Sequence, residues 1–303
     1  MTLTDARAIS LARTLGVSRV ILPRELPVEA VERVAREGGI PVEVFVHGAL
    51  CVCYSGQCLA SMAIGGRSAN RGQCAQPCRL PYDLVMDGEP QDLGGLSRLL
   101  SPQDLCAVDM IPALVKTGVA AFKIEGRLKS AEYVAIATRV YRRAIDDALA
   151  GQTHKPDADS LAHLELAFSR GWGHGHLEDA NRTGLVDGRT EGNRGSRLGT
   201  VTGTTPRGVV LQLDRPGLEP HPGDGLVIEA TSADHVDQGG RVYAARFVNG
   251  KAGSVEIEFG EGAVELSAVE VGAVVRRTDD PALRKRVQSV APRPAVVDPT
   301  PID

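Results

Sequence analysis

Cysteine distribution constrains this chain more than any other feature. Five of its six cysteines fall between Cys51 and Cys78, where an even scatter over 303 residues would put fewer than one. The spacings are Cys51-x6-Cys58, Cys58-x15-Cys74 and Cys74-x3-Cys78, with Cys53 inside the first interval and Cys106 apart, downstream. Three chemistries produce such a cluster. Disulfides persist in oxidising compartments, and the N-terminal MTLTDARAIS has no basic stretch leading into an apolar run that would mark export. Zinc sites usually carry two Cys-x(2–4)-Cys knuckles, and only Cys74-x3-Cys78 has that form. Iron–sulfur clusters take four thiolates at more variable spacings. Spacing alone leaves zinc and iron–sulfur both open. Gly48, Gly56, Gly65, Gly66 and Gly72 let the backbone bend around either. Burial as small residues, a common fate of free cysteine, is the favoured reading for Cys53 and Cys106 taken singly, but it does not explain the group.

The same stretch carries a resemblance. It reads Glu43-x-Phe45-x-x-Gly48-Ala49-Leu50-Cys51, then Ser55-Gly56-Gln57-Cys58, then Arg67-Ser68-Ala69-Asn70-Arg71-Gly72-x-Cys74-x-x-x-Cys78-Arg79-Leu80-Pro81. Over these residues it resembles the collagenase-like peptidase U32 family, and the likeness continues through Lys123-Ile124-Glu125-Gly126-Arg127 to about Gln288. The resemblance implies a [4Fe–4S] cluster on Cys51, Cys58, Cys74 and Cys78, with zinc as the alternative. It also implies hydroxylation of tRNA or ribosomal RNA bases linked to prephenate or a similar small acid, or hydroxylation of ubiquinone precursors. It implies a (β/α) TIM-like barrel, of which this chain lacks the first strands. Only about three barrel strands are visible (20–22, 42–46 and 119–124), against eight in a closed barrel. The expectation is a truncated product, or a partner chain that completes the barrel.

Local patterning agrees with an α/β start. Residues 4–15 read as a helix capped by Thr4 or Asp5 and stopped by Gly16. Val20-Ile21-Leu22 reads as a buried strand, and Val28, Val31 and Val34 as the apolar stripe of a helix with Pro27 at its first position. Helix–strand alternation with short links predicts a parallel sheet. Ser101-Pro102 is expected to open a helical region running to Gly118, followed by a strand at 119–124. Ser130 is expected to cap a helix to Gly151, with Val134, Ala137, Tyr141 and Ala144 inward. Its Arg142 and Arg143 are expected to pair with Asp146 and Asp147 as a solvated face. From Gly195, short runs separated by Gly, Pro and Asp, the last at Val271–Val275, predict a small β-barrel, and within it Val255, Ile257 and Phe259 alternate with Glu256 and Glu258 as one buried and one wet face. The resulting division is 1–155 for the partial barrel with its cysteine loop at 50–80, 156–194 for a connector, 195–280 for the β-barrel, and 289–303 for a proline-containing disordered tail.

Net charge is −4, so no global basic field recruits nucleic acid. No apolar run approaches the ~18 residues of a membrane span, and free thiols imply a reducing cytoplasm. Locally the balance differs: Arg67, Arg71 and Arg79 carry the loop from Cys58 to Tyr82 without one acid. Their charge suits an anionic substrate or a thiolate-bound cluster, against the alternative of a solvated loop face. Arg67, Glu125 and Arg127 are the candidate substrate residues, against the alternative that Glu125 and Arg127 form a structural ion pair. His174-x-His176 reads as a Gly-rich turn without a third ligand. The competing functions are a peptidase and a non-catalytic metal-stabilised subunit. A hydrolase needs an activated nucleophile or a metal-bound water, and neither Gly-x-Ser-x-Gly nor His-Glu-x-x-His occurs.

Overall fold

The computed structural model describes residues 2–152, 155–178, 184–189, 192–231, 236–248 and 252–290. The chain divides into two compact units. The first comprises residues 1–128, 137–196 and 232–236, and the second comprises residues 129–136, 197–231 and 237–303.

The first unit begins with helix α1 (Ala6–Thr14), strand β1 (Val20–Ile21), helix α2 (Val28–Glu37) and strand β2 (Val42–Ala49). Asp5, not Thr4, caps α1 by accepting from Ala8 N at 3.0 Å. Pro27 stands just before the first turn of α2, as its N-cap. The chain continues through α3 (Ala60–Gly65), a hairpin β3 (Val85–Met86) and β4 (Glu89–Pro90), then β5 (Arg98–Pro102) and β6 (Asp104–Cys106). It goes on to α4 (Ile111–Lys116), β7 (Ala121–Ile124), α5 (Ala131–Leu149, whose first six residues are counted with the second unit), α6 (Ala158–Ala167), β8 (Trp172–Gly173) and β9 (Val186–Gly188).

Strand β2 is the spine of an open five-stranded sheet. It pairs in parallel with β1 and with β7, as the helix–strand alternation predicts. The sheet is nevertheless mixed, because β6 runs antiparallel to the end of β2 and β8 runs parallel to β6. The helix expected from Ser101 is therefore replaced by two strands, and helix begins only at Ile111. Two side chains account for this. Ser101 and the Pro102 carbonyl are bound by a buried arginine, and Asp104 is bound by Arg170 through both its backbone N–H (3.1 Å) and its guanidinium (3.0 Å).

Val42, Val44 and Val46 of β2 are all buried, along with Leu22, Val31 and Ile111. Each such aliphatic side chain contributes about 1.5–3 kcal/mol when removed from water. Beside them, the Tyr141 hydroxyl donates to Val46 O (2.8 Å), accepts from Ala107 N (3.0 Å) and lies 3.2 Å from His47 Nδ1. One phenol thus joins α5, β2 and the residue after β6. Ser130 caps α5 through Tyr133 N (3.2 Å), and Arg142 and Arg143 pair with Asp146 and Asp147 on its exposed side. Val134 is exposed, and Tyr133 takes the inward place expected for it.

In the second unit, strands β10 (Ser196–Thr204), β11 (Val209–Leu213), β12 (Gly225–Ile228), β13 (Gln238–Phe247), β14 (Ser254–Phe259) and β15 (Val274–Asp279) close an antiparallel barrel in the order β10-β11-β14-β13-β12-β15. Val255 and Ile257 point into its core while Glu256 and Glu258 stay partly exposed, the alternation read from sequence. A Cβ on Gly208 would collide with the Ile257 carbonyl, so only glycine permits that crossing. The last strand starts later than expected, leaving Val271 exposed ahead of it. Helix α7 (Pro281–Val290) takes in Ser289, and the rest of the proline-containing tail lies outside the described residues.

Burial holds the His47 imidazole neutral, with its pKa lowered from 6.5 to about 4. As pH falls below 6.5 the unfolded chain takes up the proton first, so stability declines until about pH 4, by on the order of 3 kcal/mol. Urea midpoints measured across that window should fall in the wild type and fall less in His47→Gln.

Candidate metal and substrate site

The cysteine loop leaves the sheet at the carboxyl end of β2 and returns at Arg79. It is not irregular throughout: α3 and two single 3-10 turns, Ala69–Arg71 and Pro77–Arg79, punctuate it. Gly66 and Gly72 end the first two of these in left-handed conformation. Buried Arg79 closes the base of the loop. Its guanidinium donates to Ser101 Oγ (2.8 Å), to the Pro102 carbonyl and to Leu50 O (3.2 Å). The residue after Cys78 is thereby tied to the residue before Cys51. The +3 charge expected of the loop is thus divided: Arg79 is spent on structure, and Arg67 and Arg71 are exposed.

A second clamp comes from the segment after β1. The Glu25 carboxylate accepts from the Ser55 backbone N–H and from Ser55 Oγ (3.0 Å). It holds the apex between Cys53 and Cys58. Further round, Ser61 Oγ accepts from Ala75 N (3.0 Å), the Gln76 N–H donates to Cys74 Sγ (3.3 Å), and Asn70 Oδ1 accepts from Cys58 N (3.2 Å).

The thiols feel one another. Burial pushes Cys51 up, and Cys58 and Cys74 add to the rise while Arg24 opposes it. Burial pushes Cys78 up, Arg79 opposes, and Cys51, Cys74 and Cys58 add. Cys53 is pushed up to about 11, first by burial and then by Cys58, Cys51 and Cys78. The four candidate ligands therefore lie within electrostatic range of each other. Among the described residues, no group of three or more His, Cys, Asp or Glu is arranged to hold a metal ion. The donor chemistry fits a thiolate-bound core, which interposes several atoms between its ligands where a lone ion interposes one. Cys53 departs from the expected burial: it is half-buried and stands among these thiols. Cys106 does fit that expectation, buried beside the Tyr141 hydroxyl (3.9 Å) with its thiol pushed up to about 11.

Glu125 and Arg127 follow β7. They do not pair side chain to side chain. The Glu125 carboxylate binds Arg24 at 2.9 Å and accepts the Arg127 backbone N–H at 3.1 Å, while the Arg127 guanidinium approaches Gly72 O at 3.5 Å. Arg24 also sits over Phe45 of β2, its guanidinium carbon 3.6 Å from the ring centroid. It links the segment after β1 to the middle of β2 and to Glu125, the residue after β7. The sequence reading passed over Arg24 and Glu25. The only signal was a charged pair between Pro23 and Pro27, directly after a strand. Arg67 is exposed and makes no side-chain hydrogen bond or ion pair among the described residues. His174 is better furnished with carboxylates than its spacing implied. Its Nε2 lies 3.0 Å from Asp109 Oδ1, and its Nδ1 bonds Glu178.

Comparison with known proteins settles the family, because the model of peptidase family U32 matches residues 1–186. The chain belongs to peptidase family U32. Among the proteins it is similar to, an uncharacterised protease of Methanocaldococcus jannaschii is 38% identical over 185 residues, 58% of this chain and 45% of that protein. A 23S rRNA 5-hydroxycytidine synthase of Escherichia coli is 42% identical over 145 residues, 47% of this chain and 22% of that protein. A tRNA hydroxylation protein of Bacillus subtilis is 36% identical over 149 residues, 48% of this chain and 35% of that protein. The matched stretches thus span less than half the length of these curated relatives. No helix among the described residues is long and apolar enough to cross a membrane.

Replacing Arg79 with leucine should leave the Leu50 and Pro102 carbonyls buried without a donor, at about 1–3 kcal/mol each. The expected outcome is a lower urea midpoint together with faster alkylation of Cys51 and Cys78. Cys106 should stay unlabelled until the chain unfolds, which peptide mapping reads directly.

Proposed function

We propose that this U32 chain is the cluster-bearing part of a protein that hydroxylates RNA bases. Cys51, Cys58, Cys74 and Cys78 would hold a [4Fe–4S] cluster, and tRNA or ribosomal RNA would be the substrate. The observation that carries this reading is the gathering of four thiols, by Arg79 and Glu25, at the carboxyl end of a parallel strand. The relatives' names supply the reaction class. Bound there, an iron–sulfur core would supply electron transfer or a Lewis-acidic iron.

The chain's own residues have separable tasks in this reading. The N–H of Gln76 and the guanidinium of Arg24 would stabilise thiolate charge. Arg24, held on Phe45 and bonded to Glu125, would present an oriented cation to a small organic acid such as prephenate. Exposed Arg67 would meet phosphate. The parallel trio β1-β2-β7 would be part of a (β/α) barrel completed by another polypeptide segment, with the thiols at its carboxyl-end face, where such barrels carry their chemistry.

A peptidase would need a base beside its nucleophile. The histidine nearest Cys51 in sequence, His47, is buried against Tyr141 with its pKa held at about 4. That environment favours a structural imidazole, and the hydroxylation reading has the better support.

Full-length chain purified without oxygen should contain about four irons and matching sulfide, with broad visible absorption, and should lose both on Cys58→Ser. A colourless protein holding one zinc would replace this reading with that of a metal-stabilised subunit. Nucleoside mass spectrometry of a deletion strain should show a hydroxylated base missing.

A further inference from the structure

Three non-glycine residues have positive φ among the described residues: Gln76, Asp87 and Leu128. Gln76 lies between two cysteines, and Asp87 precedes Gly88 at the tip of the β3–β4 hairpin, where such turns require it. Leu128 has no such account. It is a bulky side chain at φ 63°, a conformation that leucine rarely adopts. It is also 95% exposed, more than any other large hydrophobic among the described residues. The chain accepts backbone strain here and gains no burial in return. Strain of that kind, next to a site, points to function.

The setting narrows the function. Leu128 closes the turn Glu125-Gly-Arg-Leu, which Glu125 stabilises by accepting the Arg127 N–H and which Arg127 ties to Gly72 O in the cysteine loop. Arg71 is the residue before Gly72 and is exposed. Neither Arg71 nor Arg127 forms an ion pair among the described residues. An apolar side chain is thus presented to solvent next to Arg127, on a turn tied at Gly72 to the cysteine loop that carries exposed Arg71. Folded RNA matches this combination. Its phosphates meet guanidinium groups, and its stacked bases are parted by inserted apolar wedges. Chemistry on a base also requires that the base leave the stack.

We propose that Leu128 is an unstacking wedge: it enters the base stack beside the target nucleotide of a folded RNA, with Arg127 and Arg71 on the flanking phosphates. The proposal rests on the RNA reading above. The test uses the full chain and a short RNA stem–loop carrying 2-aminopurine in its loop stack, whose emission rises when the base unstacks. Wild-type binding should raise the emission. Leu128→Gly should bind about tenfold more weakly and give no rise, with unchanged metal content and an equal or higher thermal midpoint, because glycine accepts the positive φ. Leu128→Met should restore the rise. A wild-type rise from Leu128→Gly overturns the wedge while leaving the RNA reading intact. A wild-type chain that ignores the RNA overturns the RNA reading, and the wedge with it. If Leu128→Gly instead dissolves an oligomer in sedimentation, Leu128 is a protein contact and the wedge is wrong.

Discussion

A single buried guanidinium makes the cysteine loop possible. Thiolates crowded into one region repel, and a chain segment of this length resists having its ends brought together. Arg79 answers both by binding carbonyls from Leu50 and Pro102 and the hydroxyl of Ser101. A charge taken out of water is tolerated only when its donors are satisfied, so the geometry around Arg79 is sharply specified. That specification passes to Cys78 on one side and Cys51 on the other. Glu25 does the same for the apex through Ser55. The loop is therefore an ordered scaffold of short turns between two anchors, which a metal core would complete.

The sheet below gives the loop its neighbours. Strand β2 delivers Cys51, and its two parallel partners deliver Arg24 and Glu125, which meet over Phe45. Desolvation weakens the proton affinity of Arg24, while Glu125 and Cys51 restore part of it. The pair is thus a fixed dipole whose positive end faces thiols. Tyr141, from the helix side, binds the next two residues of the same strand, Val46 and His47.

Local signals were read correctly where local chemistry decides. Asp5 and Ser130 cap helices, Val31 and Val34 turn one face of α2 inward with Val28 half-buried, and the Val255–Phe259 alternation forms a barrel strand. Local signals do not suffice where a distant partner overrides the local pattern. Ser101-Pro102 looks like a helix start, yet Arg79 and Arg170, 22 and 66 residues away from their partners Ser101 and Asp104, hold that stretch as strand. Arg24 and Glu25 carry no motif at all. Their importance arises only because β1 and β7 both pair with β2, so that Arg24 reaches Glu125 over Phe45 and Glu25 reaches Ser55.

The sequence alone determined which atoms are available: clustered thiols at a strand end, glycines where the backbone must reverse, a basic loop, and enough likeness to place the chain in family U32. These are matters of residue type and spacing, which short-range physics and motif density record. Tertiary structure decided which of those atoms are free to act. It spent Arg79 on two carbonyls and a hydroxyl, separated Arg127 from Glu125, brought Cys53 in among the other thiols, and left Leu128 strained in solvent. Each of those outcomes depends on desolvation and hydrogen-bond satisfaction between segments far apart in the chain, and no local window contains both partners.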